Sequence, residues 1–181
     1  MNALVNFLLF QVGWFACVLG AAYGHAMAGA GIALTIVALH VLRAAQPRIE
    51  LALVLLVAVI GTVWDSALML LGWLKYSSGL LLPYLAPIWM IALWMVFATT
   101  LNVSLRWLKT RPMLAIPLGA VGGPVAYYAG HTLGAVGMPA MSLALAAQGI
   151  GWGTLMPLLV LLSNRLDGTS VTRRKVEPCL I

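Results

Sequence analysis

The stretch LALVLLVAVIGTVWDSALMLLGW, from Leu51 to Trp73, decides the fold class of this chain. It holds one charged residue, Asp65, among side chains that are almost all apolar. A helix needs about 20 mostly apolar residues to cross the hydrocarbon core of a bilayer, so this stretch is predicted to span a membrane. A carboxylate inside a span is costly and usually faces a bundle interior or a wet cavity. Asp65 is therefore the first candidate functional residue.

Composition extends this prediction to the whole chain. The 181 residues are 63% hydrophobic and 8% charged, and their mean hydropathy is +1.04. This is too little charge to cover a soluble domain, but it is typical of a polytopic membrane protein. The apolar runs are continuous and do not alternate with period two, which favours helices over strands. We therefore predict an all-α, polytopic membrane helical bundle.

Six transmembrane helices are predicted from apolar runs of suitable length. Their bounds are 3–22, 26–42, 51–73, 87–107, 113–130 and 139–163. They form one transmembrane domain over residues 1–164, and a basic tail over residues 165–181 is expected to be cytoplasmic and mobile. Pro117 and Pro124 in the fifth span and Pro157 in the sixth predict kinks, because proline removes a backbone donor.

The basic residues support this count and give its orientation. With six spans and a cytoplasmic N-terminus, nine of the ten Lys and Arg residues fall on the cytoplasmic side, as the positive-inside rule expects. The nine are Arg43, Arg48, Arg106, Lys109, Arg111, Arg165, Arg173, Arg174 and Lys175. Only Lys75 falls outside. This partition explains the net charge of +6, so membrane lipids and not nucleic acid are the expected partners.

Small residues predict how the helices approach one another. Gly119 and Gly123 are four positions apart, and so are Gly149 and Gly153. This spacing allows close backbone contact between helices in lipid. The pattern indicates packing more than function.

Three polar residues are predicted to share the outer side of the membrane. Asp65 lies in the outer half of its span, and His25 and His131 lie at the outer ends of the first and fifth spans. A carboxylate beside a histidine suits a proton relay or the binding of a polar headgroup. Trp64 adds the expectation of an aromatic-lined cavity around the carboxylate. The trio could also hold a metal, but the spacing matches no metal signature, and neither a metal nor a cofactor is predicted.

A second polar set is predicted toward the cytoplasm. Thr99, Asn102 and Arg106 share a face of the fourth span, and Asn6 of the first span could meet that face. Gln11 and Gln148 are placed nearer the middle of the membrane. Hydrogen bonds between helices are the simplest explanation of these amides, and a polar path linking both halves of the bundle is the alternative.

Several stretches resemble a known family. They are Asn6-Phe7 with Phe10-Gln11 and Trp14, Trp64-Asp65, Pro87 to Trp94 with Phe97 to Leu101, and Gly123 to Tyr128 with Gly130. Together they resemble a bacterial inner-membrane family catalogued as domain of unknown function 2878, over nearly the whole chain except the tail. The resemblance implies a small multi-pass protein of the bacterial cell inner membrane with no established activity, in a lipid-related context.

Three functions remain open at this point. The first is a module that binds a lipid-like or small amphipathic ligand, the second is a proton-coupled carrier that uses Asp65, and the third is a lipid-modifying enzyme that uses Asp65 and His131. Glu50 is expected at an interface, which leaves Asp65 as the only acid inside the membrane. No phosphate-binding loop, zinc-protease motif or nucleophile elbow is present, so whether the protein is an enzyme stays undecided.

Overall fold

The computed structural model describes residues 2–170, and six α-helices carry this part of the chain. They are α1 (Ala3–Ala22), α2 (Ala26–Leu42), α3 (Pro47–Leu70), α4 (Ile88–Leu101), α5 (Pro112–Thr132) and α6 (Met141–Arg165). Two short strands, β1 (Lys75–Tyr76) and β2 (Val136–Gly137), and a 3₁₀ helix (Arg106–Thr110) complete the elements. The prediction of an all-helical chain is confirmed. The basic residues Arg173, Arg174 and Lys175 lie outside the described residues.

The helix α3 carries the opening stretch and begins earlier than predicted. Pro47 occupies its first turn, where a missing backbone N–H costs nothing, and Glu50 in that turn complements the helix dipole. The helix ends at Leu70, three residues before the predicted end. One face of α3 is buried, and Glu50 and Asp65 lie at opposite ends of that face. At 1.5 Å per residue their backbones are about 22 Å apart.

Two helix pairs are closed by small residues, and the predicted spacing of Gly119 and Gly123 accounts for the α5–α6 pair. In the α1–α2 pair, a side chain at Gly29 would overlap the backbone of Ala16. In the α5–α6 pair, a side chain at Gly119 would overlap the backbone of Trp152. The glycines thus let the backbones approach within van der Waals distance.

The helix α4 lies at the centre of the bundle, in contact with α1, α2 and α3. It has 14 residues and ends at Leu101, so the predicted span 87–107 is wrong in its extent. The Thr99 and Thr100 hydroxyls donate to the carbonyls of Val96 and Phe97 at 2.7 and 2.6 Å. Such local hydroxyl bonds compete with regular helical pairing, and the helix ends one residue later.

Four helices, α1, α3, α5 and α6, are long and apolar enough to cross a membrane. The helices α2 and α4 are shorter, and α4 is about 21 Å long against a hydrocarbon core of about 30 Å. The helices α5 and α6 are each continuous, with Pro117 and Pro124 inside α5 and Pro157 inside α6, and the kinks expected at these prolines stay a prediction. The two short helices are α2 and α4, not the proline-containing α5 and α6.

The helix ends fall into two groups at opposite ends of the bundle. At the first end, called here the hairpin end, β1 pairs antiparallel with β2, and the Ser78 hydroxyl donates to the Ala21 carbonyl at 2.8 Å. At the second end, called the polar end, the Ser104 N–H donates to the Asn6 side chain at 3.2 Å. The Gln46 N–H donates to the Gly168 carbonyl at 2.8 Å, also at the polar end.

Candidate functional site

Asp65 is fully buried and accepts three hydrogen bonds from three other elements. Its Oδ1 accepts from the hydroxyls of Tyr76 at 3.0 Å and Tyr127 at 2.5 Å. Its Oδ2 accepts from the Trp94 indole N–H at 2.7 Å. We call these four residues the Asp65 cluster. Because Tyr76 is on β1, Trp94 on α4 and Tyr127 on α5, one carboxylate joins the three elements to α3.

The donors of the Asp65 cluster are neutral. No salt bridge involves Asp65 within residues 2–170. Burial and the negative charge of Asp65 raise the pKa of Tyr76 well above its ordinary value of 10.0, so this hydroxyl remains a donor at every physiological pH. A buried carboxylate without a counter-ion depends on such donors, because its desolvation is otherwise uncompensated.

Trp94 is held in place from both sides. Gly61 of α3 lies under its indole ring, which occupies the space that a side chain at position 61 would need. The Trp152 ring of α6 stacks on Trp94 with centroids 4.7 Å apart and planes 9° apart. Gly123 in turn leaves the space for Trp152. The indole that reaches Asp65 is therefore positioned by packing against α3 and α6.

A cleft of about 480 Å³ lies between α1, α4 and α5, with part of α6 at its back. We call it the lateral cleft, because Phe7, Leu118 and Val125 on its lining are exposed on the side of the bundle. Its wall is mainly aromatic and apolar. The principal lining residues are Phe10, Trp14, Trp94, Phe97, Tyr127 and Trp152.

Trp94 and Tyr127 belong both to the Asp65 cluster and to the wall of the lateral cleft. Asp65 itself does not line the cleft. An aromatic-lined cavity was expected around Asp65 and Trp64; the cleft is aromatic-lined, but neither of these two residues lines it. Asp65 thus holds two side chains of the cleft wall by hydrogen bonds without lining the cleft itself.

Trp64 and Gln148 form a contact next to the Asp65 cluster. The Trp64 indole N–H donates to the Gln148 side-chain oxygen at 3.2 Å, and Gln148 is fully buried. The Gln148 amide lies close to the Tyr127 hydroxyl. Its NH₂ group makes no hydrogen bond of good geometry among residues 2–170. Neither Trp64 nor Gln148 lines the cleft, so they support the cluster from outside it.

The two candidate histidines are not joined to Asp65. His25 is exposed at the start of α2 and makes no capping hydrogen bond with its side chain. His131 places its Nδ1 2.9 Å from the carbonyl oxygen of Val136. Within residues 2–170, no hydrogen bond or ion pair connects either histidine with Asp65. The trio expected for a proton relay therefore shares one end of the bundle, but no hydrogen bond joins its histidines to Asp65 within residues 2–170.

Glu50 forms a second buried centre, at the polar end of α3. It was expected at an interface, and the structure shows that its side chain is fully buried within the bundle. His40 Nε2 lies 2.7 Å from one carboxylate oxygen, and the other accepts from the Asn102 amide at 2.8 Å and the Gly168 N–H at 3.1 Å. Asp65 is thus not the only fully buried acid of α3, and Asn102 belongs to the Glu50 site.

Residues 166–170 of the predicted tail pack onto this centre. Asp167 accepts from Arg106 at 2.8 Å and from Lys109 at 3.0 Å. Burial raises the pKa of Asp167, but the hydrogen bonds from Lys109 and Thr169 and the two nearby cations outweigh this effect. Its pKa lies below the ordinary value of 3.8. Residues 166–170 are therefore held to the turn after α4 by the bonds that Asp167 accepts from Arg106 and Lys109.

Thr99 of α4 meets Asn6 of α1 as predicted, although Asn102 and Arg106 of the predicted face lie beyond the end of α4. The Asn6 side-chain NH₂ donates to the Thr99 carbonyl at 3.2 Å and to its hydroxyl at 3.4 Å. Asn6 and Thr99 are both 1% exposed, so these bonds satisfy amide groups that water does not reach. No group of three His, Cys, Asp or Glu side chains is close enough to hold a metal ion within residues 2–170.

Sequence reasoning missed four residues that the structure places at these two centres: Tyr76, Tyr127, Glu50 and His40. Tyr127 stood in one of the stretches that carry the family resemblance, but no periodicity linked it to Asp65. Glu50 stood one residue before the apolar run of α3, so counting apolar residues placed it outside the span. Its burial depends on partners that are distant along the chain.

Comparison with known proteins gives a family but no activity. A family model described as "Protein of unknown function (DUF2878)" matches residues 3–158. The match includes the whole Asp65 cluster and the lateral cleft, whereas Asp167 and Gly168 lie beyond it. No curated protein and no solved structure matches the chain.

Proposed function

The chain belongs to the DUF2878 family, and we propose that it is a multi-pass membrane protein that binds a lipid-like or small amphipathic ligand in the lateral cleft. The observation that carries this proposal is the cleft itself, an apolar space of about 480 Å³ that opens on the side of the bundle. Small-molecule sites commonly enclose about 300–1,000 Å³ and are mainly apolar. In a membrane, a lateral opening faces the lipid from which such a ligand would enter.

The proposed topology has six spans, with both ends on the cytoplasmic side of a bacterial inner membrane. Six basic residues of the described part cluster at the polar end: Arg43, Arg48, Arg106, Lys109, Arg111 and Arg165. Lys75 lies at the hairpin end. This asymmetry favours a cytoplasmic polar end by the positive-inside rule. The irregular segments that flank α4 would lie within the membrane thickness, which is tolerated where protein covers the backbone.

The shape of the lateral cleft suits an extended hydrocarbon. On α1 its lining runs from Phe7 to Val18, which corresponds to about 16 Å along the helix. One leaflet of hydrocarbon is about 15 Å thick, half of the core. The cleft is therefore about as long as one chain of a lipid in one leaflet. The aromatic rings of its wall supply large apolar contact areas at little cost in conformational entropy.

The two other functions receive less support. A proton-coupled carrier would need a polar path, but the buried residues of α3 between Glu50 and Asp65 are apolar: Leu53, Val54, Val57, Ala58 and Gly61. A lipid-modifying enzyme with Asp65 and His131 in acid–base roles would need the two groups within reach of one another, and His131 is bonded to the Val136 carbonyl. Ligand binding requires neither condition.

The test fills the cleft without disturbing the fold. A Cβ added at Gly122 meets no atom within 4 Å, and Gly122 lines the cleft. Gly31 on α2 has the same open surroundings but lies outside the cleft, so Gly31→Leu is the matched control. Lipids and small molecules that copurify with each variant from the same cells are identified by mass spectrometry.

We expect a molecule retained by wild type and Gly31→Leu to be lost from Gly122→Leu. Asp65→Asn is expected to weaken its retention, since Trp94 and Tyr127 donate to different oxygens of Asp65 and Asn keeps only one of them. Equal retention by Gly122→Leu and Gly31→Leu would refute binding in the cleft. If retention changes in Gly122→Leu but not in Asp65→Asn, the molecule binds in the cleft and Asp65 takes no part in binding it.

A further inference from the structure

We infer that the ligand of the lateral cleft carries a neutral hydrogen-bonding oxygen part-way along its apolar body, and that Gln11 and Trp14 bind this oxygen. The inference rests on the proposed function and specifies the ligand class. The expected ligand is an amphipathic molecule, such as a mid-chain alcohol or ketone, and not a plain hydrocarbon chain.

Gln11 and Trp14 stand three residues apart on α1, so their side chains share one face of the helix. Both line the lateral cleft and are half-buried. Within residues 2–170, neither the Gln11 amide nor the Trp14 indole N–H has a hydrogen-bond partner, and neither group is covered by neighbouring atoms. Two polar groups on one face are therefore open to the cleft.

The other polar groups of the wall are occupied or covered. The Tyr127 hydroxyl and the Trp94 N–H donate to Asp65, and the Trp89 N–H donates to the Ser78 carbonyl. The Trp152 N–H has no acceptor among residues 2–170, but neighbouring atoms cover it. Gln11 and Trp14 thus provide the polar contacts that a molecule in the cleft can reach.

The depth of Gln11 in the proposed membrane further restricts the chemical class of the ligand. It is eight residues from the start of α1 at Ala3, or about 12 Å along a helix that is about 30 Å long. In the proposed topology this is near the middle of the bilayer. The ester and headgroup oxygens of a bilayer lipid lie at the interface, so its plain hydrocarbon chain would leave the amide and the indole N–H unpaired. Unpaired polar groups in an apolar medium are costly.

A ligand with a hydroxyl or carbonyl oxygen at that depth would pair with them. A hydroxyl could donate to the Gln11 side-chain oxygen and accept from the Trp14 N–H, and a carbonyl could accept from both residues. The binding mode needs no charged partner, in keeping with a cleft lined by neutral side chains. A charged group at this depth would lack compensation.

The experiment compares two probes of equal length, hexadecane and a secondary hexadecanol with its hydroxyl at mid-chain. The protein is held in phosphatidylcholine nanodiscs, and affinities are taken from the rise in Tm with probe concentration, since a ligand that binds the native state stabilises it. The variants are Gln11→Leu and Trp14→Phe, which keep most of the apolar volume, together with Gly122→Leu.

Wild type is expected to bind the alcohol about 3- to 15-fold more tightly than the alkane, the range that one intramembrane hydrogen bond supports. Gln11→Leu should remove most of this preference, and Trp14→Phe should reduce it. Equal affinities in wild type, or a preference that survives in Gln11→Leu, would overturn the inference while leaving a cleft that binds apolar molecules. If Gly122→Leu binds both probes as wild type does, or wild type binds neither, the proposed function itself fails.

Discussion

Tyr127→Phe gives the most direct test of the Asp65 cluster, because it removes one oxygen and leaves the aromatic ring in place. The lost bond is the 2.5 Å contact between the Tyr127 hydroxyl and Asp65 Oδ1, which joins two buried residues. Hydrogen bonds to charged groups contribute about 1.5–3 kcal/mol to stability, whereas neutral bonds between membrane helices average about 0.6 kcal/mol. We therefore expect a loss of about 2 kcal/mol in the free energy of unfolding.

The adjacent Tyr128 supplies the matched control. Its side chain is 49% exposed on the same helix, so Tyr128→Phe should change the free energy of unfolding by less than about 0.5 kcal/mol. The measurement is equilibrium unfolding in mixed micelles with increasing denaturing detergent, followed by tryptophan fluorescence. A cost for Tyr127→Phe no larger than that for Tyr128→Phe would refute the account of the cluster.

A double-mutant cycle with Asp65→Leu isolates the contact from other effects. In the Asp65→Leu background the Tyr127 hydroxyl has lost its acceptor, so Tyr127→Phe should cost nothing or should stabilise the protein, since it removes an unpaired buried hydroxyl. The coupling energy should be about 2 kcal/mol. An equal cost of Tyr127→Phe in both backgrounds would mean that the hydroxyl acts through a partner other than Asp65.

Three further predictions concern packing and the polar end. Gly61→Ala should cost about 1–3 kcal/mol of unfolding free energy because its methyl group would displace the Trp94 ring, whereas Gly31→Ala, with open space around it, should be nearly neutral in the same assay. Glu50→Leu should lower the free energy of unfolding by about 3–5 kcal/mol and speed amide hydrogen exchange in residues 166–170, because it removes the acceptor of three donors. Unchanged exchange in residues 166–170 would contradict this prediction. The pKa of Asp167 is lowered in the folded state, so the contribution of Asp167 to stability is present above pH 3.8 and is lost as the pH falls through the lower folded-state pKa. Acid should therefore release residues 166–170 in wild type and speed their amide hydrogen exchange. Asp167→Asn should remove this acid-induced step from the pH profile of exchange.

The extent of the helices was largely predictable from the sequence, and two of its errors, the end of α4 and the start of α3, share a physical origin. Apolar runs located all six helices because the requirement to satisfy the backbone in lipid is local. The errors arise where polar side chains intervene. The helix α4 ends at Leu101, next to two threonines that bond back to it, and α3 starts at Pro47, before the apolar run, with Glu50 in its first turn.

The sequence by itself determined the class of protein, the helical architecture and the special standing of Asp65. Each of these follows from the cost of placing charge or unpaired backbone in an apolar medium, which a single segment reveals. Only the tertiary structure decided which groups supply the hydrogen bonds that offset this cost. The partners of Asp65 come from positions 11, 29 and 62 residues away, and Gly168 reaches Glu50 across 118 residues. Such pairings depend on how the helices cross, and no local pattern records this, so the lateral cleft also emerges only from the assembled bundle.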